Sequence, residues 1–180
     1  MSLEQTLDSY SSVAALADYH EKRTLGWDPD LCAPVREEAL ITQKKEATRE
    51  LYEFRPELDS ILATSVSASG AVTTRTFPYT EGTQTNCSLL LYLRTFPWEK
   101  GETRVPVLDL NGGVKWYSFS VAAEEKEFAV PAGKFPRTYH LFNRELKYDI
   151  WFDRGPGRWP LEIRSRLAFG TAQAKLVEAY

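Results

Sequence analysis

Between Val114 and Tyr180 apolar and polar residues alternate strictly, and tight-turn signals cut the run into hairpins. In Leu161-Glu162-Ile163-Arg164-Ser165-Arg166-Leu167-Ala168-Phe169 one phase carries Leu161, Ile163, Leu167 and Phe169, and the other carries Glu162, Arg164 and Arg166. A period of two marks a strand with one face on a core and one in water. The same period recurs in Tyr117, Phe119 and Val121, and in Tyr148, Ile150 and Phe152. Asn111-Gly112, Pro131-Ala132-Gly133 and Gly155-Pro156-Gly157 separate the runs, and Asn-Gly between apolar segments is a strong hairpin signal. Strands so closely spaced suit an antiparallel barrel or sandwich and exclude a βαβ sheet.

The first half is less regular. Residues 1–10 read as a weakly ordered lead-in, and residues 11–23 fit either a strand or a short helix. Trp27-Asp28-Pro29-Asp30 is a turn, because Pro29 pre-sets its φ and the flanking aspartates supply local hydrogen bonds. Residues 34–42 and 45–54 read as a hairpin joined near Gln43-Lys44, with a helix over 37–52 as the competitor, since Glu, Ala, Lys and Leu are good helix formers. Residues 58–69 are ambiguous, and residues 71–77 form a strand ending at Pro78. Four leucines without a β-branched residue favour a short helix through Arg94, capped by Asn86 or Ser88 and ended by Pro97. Arg75-Thr76-Phe77-Pro78-Tyr79-Thr80-Glu81-Gly82 is echoed by Arg94-Thr95-Phe96-Pro97-Trp98-Glu99-Lys100-Gly101; two copies do not make a solenoid, so the echo is read as shared turn chemistry.

A chain of 180 residues fits one well-buried core, and a single β domain over 1–180 is expected. The net charge of -3 argues against nucleic acid, whose phosphates need a basic surface. No run is apolar enough to span a bilayer, the longest being Leu89-Leu90-Leu91-Tyr92-Leu93. The amino terminus has neither a basic n-region nor an apolar h-region, so either a cytoplasmic location or a removed signal is expected. Cys32 and Cys87 stand without a C-x-x-C; one bridge is possible by count, and two free thiols are the favoured reading.

Candidate chemistry is sparse. His20 and His140 are the only histidines, and His140 lies in an alternating strand between Tyr139 and Leu141, where an ordinary packed or surface imidazole is expected. Ser67 and Ser69 precede Gly70 without a G-x-S-x-G elbow. Gly112-Gly113 precedes a strand and cannot cradle phosphate at a helix start. No spacing suggests a metal site, no cofactor is implied, and a non-enzymatic role is expected. Arg154, Arg158, Arg164 and Arg166 gather around the final hairpin, either as an anion or headgroup site or, as favoured, as a solvated strand face.

Several segments together resemble a bacterial family of exported proteins, domain of unknown function 3108. Val130-Pro131-Ala132-Gly133-Lys134-Phe135 is similar to its "v-P-A-G-t-f" turn, and Ile150-Trp151-Phe152-Asp153 followed by Trp159-Pro160-Leu161-Glu162-Ile163 to its "W-f-s … P-v-r-i" hairpin. Ser88-Leu89-Leu90-Leu91-Tyr92-Leu93-Arg94 with Gly101-Glu102, and Trp27-Asp28-Pro29-Asp30-Leu31 with Pro34, resemble two further segments. The resemblance implies a strongly curved antiparallel sheet or open β-barrel with one short helix, in the style of envelope lipoprotein-carrier domains, and assigns no catalytic residues. It also implies a periplasmic or envelope location, with a signal peptide and a further strand that the front of this chain does not show. A sheet edge left open there predicts a homodimer or strand exchange.

The in-phase residues Tyr117, Phe119, Val121, Tyr148, Ile150, Phe152, Leu161 and Ile163 are expected to face the interior of the curved sheet. The tyrosine hydroxyls suggest a cavity for a hydrophobic or amphipathic small molecule. The alternative is a structural or assembly module that binds another protein through a sheet edge or aromatic surface.

Overall fold

Alternation becomes burial wherever one face of a strand meets a core; the computed structural model of the chain describes residues 2–8, 19–98, 101–109, 113–124, 127–167 and 170–176. For 2–8, 19, 124, 167 and 170–172 it describes the backbone only. The turn expected at Asn111-Gly112, the segment 11–18, Lys126, Phe169 and Val177 lie outside the described residues. Among the described residues the architecture is mainly β, with curved, open antiparallel sheets and one short helix, and no sheet closes into a barrel.

One six-stranded sheet runs in simple sequence order: β1 (Ser2–Asp8), β2 (Tyr19–Asp28), β3 (Ala33–Gln43), β4 (Glu46–Arg55), β5 (Ser60–Val66) and β6 (Val72–Pro78). A 3-10 turn, Pro56–Leu58, links β4 to β5. The helix α1 (Leu89–Thr95) follows, then β7 (Glu102–Asp109), β8 (Gly113–Glu124), the small hairpin β9 (Phe128–Val130) and β10 (Gly133–Phe135), β11 (Thr138–Asn143), β12 (Tyr148–Asp153), β13 (Pro160–Leu167) and β14 (Gly170–Lys175). The second six-stranded sheet has the order β14-β13-β12-β11-β8-β7. The chain divides into two compact units: residues 1–89 with 106–115, and residues 90–105 with 116–180.

The lead-in expected at 1–10 is corrected: Ser2–Asp8 form β1, paired antiparallel along β2 from Ser2↔Gly26 to Asp8↔His20. The segment is polar and has little local preference, so its order comes from satisfying the backbone groups of β2. The hairpin of β3 and β4 is as expected. Its two-residue turn, Lys44-Lys45, holds both residues at positive φ, 49° and 72°, a twist that suits paired strands. Asp28 makes the expected turn, its Oδ1 accepting from the backbone N–H of Asp30 (2.9 Å) and Leu31 (3.2 Å).

The cap of α1 is also corrected. Neither Asn86 nor Ser88 initiates it alone. Ser88 N–H donates to Thr85 Oγ1 (3.1 Å) and Thr85 N–H donates to Ser88 Oγ (2.8 Å), a reciprocal capping box between residues three positions apart.

Unit 1 centres on Tyr52, Phe54, Ile61 and Leu108, with Ala63, Phe77, Tyr79 and Val114 packed against them. Unit 2 buries Leu93, Trp98, Phe119, Leu141, Ile150, Phe152 and Leu161. A bulge at Trp151/Phe152 sets Phe152 opposite Pro160 and leaves Leu161 as the extra residue, itself buried.

Candidate functional site

The register of unit 1 places three lateral rows on one face of its sheet, exposed at its β6 end at Thr73 and Arg75. Phe54, Ile61 and Phe77 form an apolar row across β4, β5 and β6. Leu25, Glu37, Tyr52, Ala63 and Arg75 form the next, from β2 to β6, and Arg23, Ala39, Glu50, Ser65 and Thr73 the third. The face thus grades from hydrocarbon to charge over three rows.

Glu37 is 0% exposed. A carboxylate there needs partners, because an unpaired charge in low dielectric is prohibitively costly. It has two: Arg23 Nη1 donates to Oε1 at 2.5 Å, and the Thr85 hydroxyl donates to Oε2. Arg23 also donates from Nε to Glu21. Burial works against the Arg23 charge, but Glu37 and Glu21 outweigh it and hold the guanidinium above its ordinary pKa. The Tyr52 hydroxyl donates to Glu50 Oε2 at 2.6 Å; burial first, then that bond, raises its pKa.

Cys87 is buried and Cys32 is partly exposed, and both are free thiols. Burial, with the nearby Glu37 carboxylate adding to it, pushes the Cys87 thiol up to about 12 from an ordinary 9.0. A folded-state pKa raised this way stabilises the fold below pH 9, and the contribution is lost as pH rises from 9.0 towards about 12. Since the thiolate is the nucleophile, iodoacetamide at pH 8 is expected to label Cys32 in the native protein and leave Cys87 unmodified until denaturant is added. Peptide mass spectrometry reads both sites; native labelling of Cys87 at the rate of Cys32 would contradict this account.

Beside this cluster the sheet opens into a cavity of about 380 Å³ lined by Glu50, Tyr52, Ala63, Thr64, Ser65, Thr73, Arg75 and Phe77. None of these residues stands out in the sequence as a site. The available signal was the in-phase mixture of charge and aromatic residues in Glu50-Leu51-Tyr52-Glu53-Phe54, and reading it requires knowing which phase is buried.

The eight residues expected to line a ligand cavity are brought together in unit 2. Val121 and Ile150 each face Leu141, and Ile150 faces Ile163, making one continuous row. Phe119, Ile150, Phe152 and Leu161 are completely buried, while Tyr117, Val121, Tyr148 and Ile163 are half-buried. Burial, with Tyr117 nearby, raises the Tyr148 pKa. Trp98 fills the space over this face, its ring 5.0 Å from that of Phe152 and 4.8 Å from that of Tyr139.

The arginine cluster of the last hairpin separates into distinct tasks. Arg158 donates to the carbonyls of Phe96 (2.8 Å) and Arg94 (3.2 Å) at the end of α1 and lies over Trp98. Arg154 lies over Tyr139, and Arg164 lies over Trp151 while pairing with buried Glu162. His140 stacks on Trp151 at 4.4 Å, with its Nε2 2.9 Å from Asp149 Oδ1. Among the described residues no three His, Cys, Asp or Glu side chains are placed to hold a metal ion, and no helix is long and apolar enough to cross a membrane.

The family model described as Protein of unknown function (DUF3108) matches residues 3–177. No curated protein and no solved structure matches the chain. A match over nearly the whole sequence, through both units, makes this chain a member of the DUF3108 family of proteins of unknown function.

Proposed function

We propose that unit 1 binds an amphipathic small molecule on this face of its curved sheet, and that the chain is a non-enzymatic binding module of the cell envelope, the location the family resemblance implies. The cavity of about 380 Å³ supports this reading, being of the size that takes small organic ligands. Its walls divide by chemistry. Phe77 of the apolar row and Ala63 of the next supply apolar wall, while Arg75, Thr73, Ser65 and Glu50 supply charge and hydrogen bonds. A ligand with a hydrocarbon body and an anionic end matches that division, the body against Phe77 and the anion on the Arg75 guanidinium. The Tyr52 hydroxyl is committed to Glu50, so its ring serves as wall. The reading moves the ligand from the expected strands of unit 2, where side chains pack the face, to unit 1.

Titration with a fluorescent fatty acid tests it. Saturable binding to the native chain is expected. Arg75→Gln, removing one charge-assisted contact, is expected to weaken it about tenfold, and Ala63→Phe to abolish it by filling the cavity. Absence of saturable binding to the native chain, or equal affinity in all three proteins, would overturn the assignment.

A further inference from the structure

Unit 2 carries a second cavity, of about 700 Å³, at one end of its sheet, lined by His140, Phe142, Asn143, Arg144, Lys147, Tyr148, Asp149 and Arg166. Its charge is one-sided. Arg144, Lys147 and Arg166 oppose the single carboxylate of Asp149, in a chain whose net charge is -3. That carboxylate is already engaged: Oδ1 meets His140 Nε2 at 2.9 Å and Oδ2 lies 3.9 Å from Arg166 Nη2. Among the described residues Arg144 and Lys147 make no ion pair.

The turn presenting these cations is built rather than loose. Asn143 Oδ1 accepts from Leu146 N–H at 2.5 Å, and Asn143 Nδ2 donates to Ser118 O at 2.8 Å, so one buried side chain fixes the turn to β8. Lys147 takes a positive φ of 54°, and its carbonyl accepts from Arg166 N–H at 3.2 Å, tying the turn to β13. Arg144 and Lys147 are thereby held at the rim, with Arg166 on the neighbouring strand. The rings of Phe142 and Tyr148 complete the lining. A smaller cavity of about 350 Å³ adjoins through the shared residues Asp149 and Arg166 and adds Arg164 and Gln173. Arg164 is committed to Glu162, so the unbalanced charge stays with the first three cations.

We propose that this cavity binds a phosphomonoester, the anion of a free phosphorylated molecule or of a lipid headgroup. Three cations in the lining against one engaged carboxylate leave an excess of two, which matches a dianion better than a single carboxylate. The site shares no residue with the cavity of unit 1 and does not depend on what that cavity holds.

The full chain is titrated calorimetrically with inorganic phosphate and, separately, floated with vesicles of phosphatidylcholine with or without phosphatidic acid. Saturable phosphate binding, or flotation that requires phosphatidic acid, is expected. The double variant Arg144→Gln/Lys147→Gln is expected to weaken whichever is observed by about tenfold or more. Lys44→Gln/Lys45→Gln makes the same charge change in unit 1 and is expected to bind as the native chain does. Binding of free phosphate without flotation assigns a soluble ligand, and flotation without phosphate binding assigns a headgroup. Silence in both arms, or equal loss in the Lys44/Lys45 and Arg144/Lys147 variants, would overturn the proposal.

Discussion

Arg23→Met is expected to destabilise the protein by about 3–5 kcal/mol, because it leaves the Glu37 carboxylate buried without its cation. Glu37 is 0% exposed and held by Arg23 on one oxygen and by Thr85 on the other, and a hydroxyl alone cannot compensate a charge. The cost is therefore the desolvation of an orphaned ion, not the loss of one hydrogen bond. Arg23→Met/Glu37→Leu removes both charges and is expected to be more stable than Arg23→Met by well over 1 kcal/mol, since apolar replacements of buried pairs are often neutral or favourable. Urea unfolding of the single and double variants measures the coupling. If the double variant is as unstable as Arg23→Met, burial of the carboxylate is not the source of the cost.

Trp98→Ala is expected to cost a similar amount, about 3–5 kcal/mol, by removing the side chain that fills the buried face of unit 2. The indole is 2% exposed, packs on Phe152 and Tyr139, carries Arg158 over its ring and donates from Nε1 to Leu93 O at 2.7 Å. Alanine leaves a void and an unpaired carbonyl, and removes the platform under Arg158. Thermal unfolding followed by near-ultraviolet circular dichroism measures the loss. A change below about 1 kcal/mol would show that the face repacks readily, contrary to a core of interdigitated rings. The same variant is expected to gain uptake of a small apolar probe such as benzene, which the native face, already filled, does not admit.

Family membership and antiparallel β architecture are legible in the residues alone. The period of two in Tyr117–Val121, Tyr148–Phe152 and Leu161–Ile163 is local, so the strands and their buried phase follow from it, and the row through Val121, Ile150 and Ile163 forms as expected. What lies over that row is a long-range matter. Trp98 reaches it from the segment after α1, and no pattern within the strands encodes that contact.

In the first sheet residue type and burial part company: Glu37 is buried in the phase of Ala39, while Leu40, in the other phase of β3, is 50% exposed. The choice is made by the neighbours. Leu25 on β2 and Tyr52 on β4 lie across from Glu37, and slipping β3 by one residue would misplace its whole buried side. The cavity residues of unit 1 were missed for the same reason, since Glu50, Ala63 and Arg75 become one surface only when three strands are in register.

The tetrapeptide Arg-Thr-Phe-Pro shows where the division falls, because it occurs twice. At Arg75–Pro78 it is strand, pairing Arg75 with Ala63 and Phe77 with Ile61. At 94–97 the same residues close a helix: Arg94 and Thr95 end α1, Thr95 Oγ1 donates to Tyr92 O at 2.8 Å, and Arg94 Nη2 donates to Gly157 O at 2.8 Å. The shared chemistry governs the turn after each copy, where Gly82 and Gly101 both take left-handed conformations, at φ of 76° and 73°. Turns, hairpins and the two-residue period depend on neighbouring residues, and the sequence by itself determined them. The state of Arg-Thr-Phe-Pro, the burial of Glu37 and the opening beside Tyr52 depend on partners far along the chain, and only the tertiary structure decided them, because local preferences of a few tenths of a kcal/mol yield to packing and paired backbone worth several.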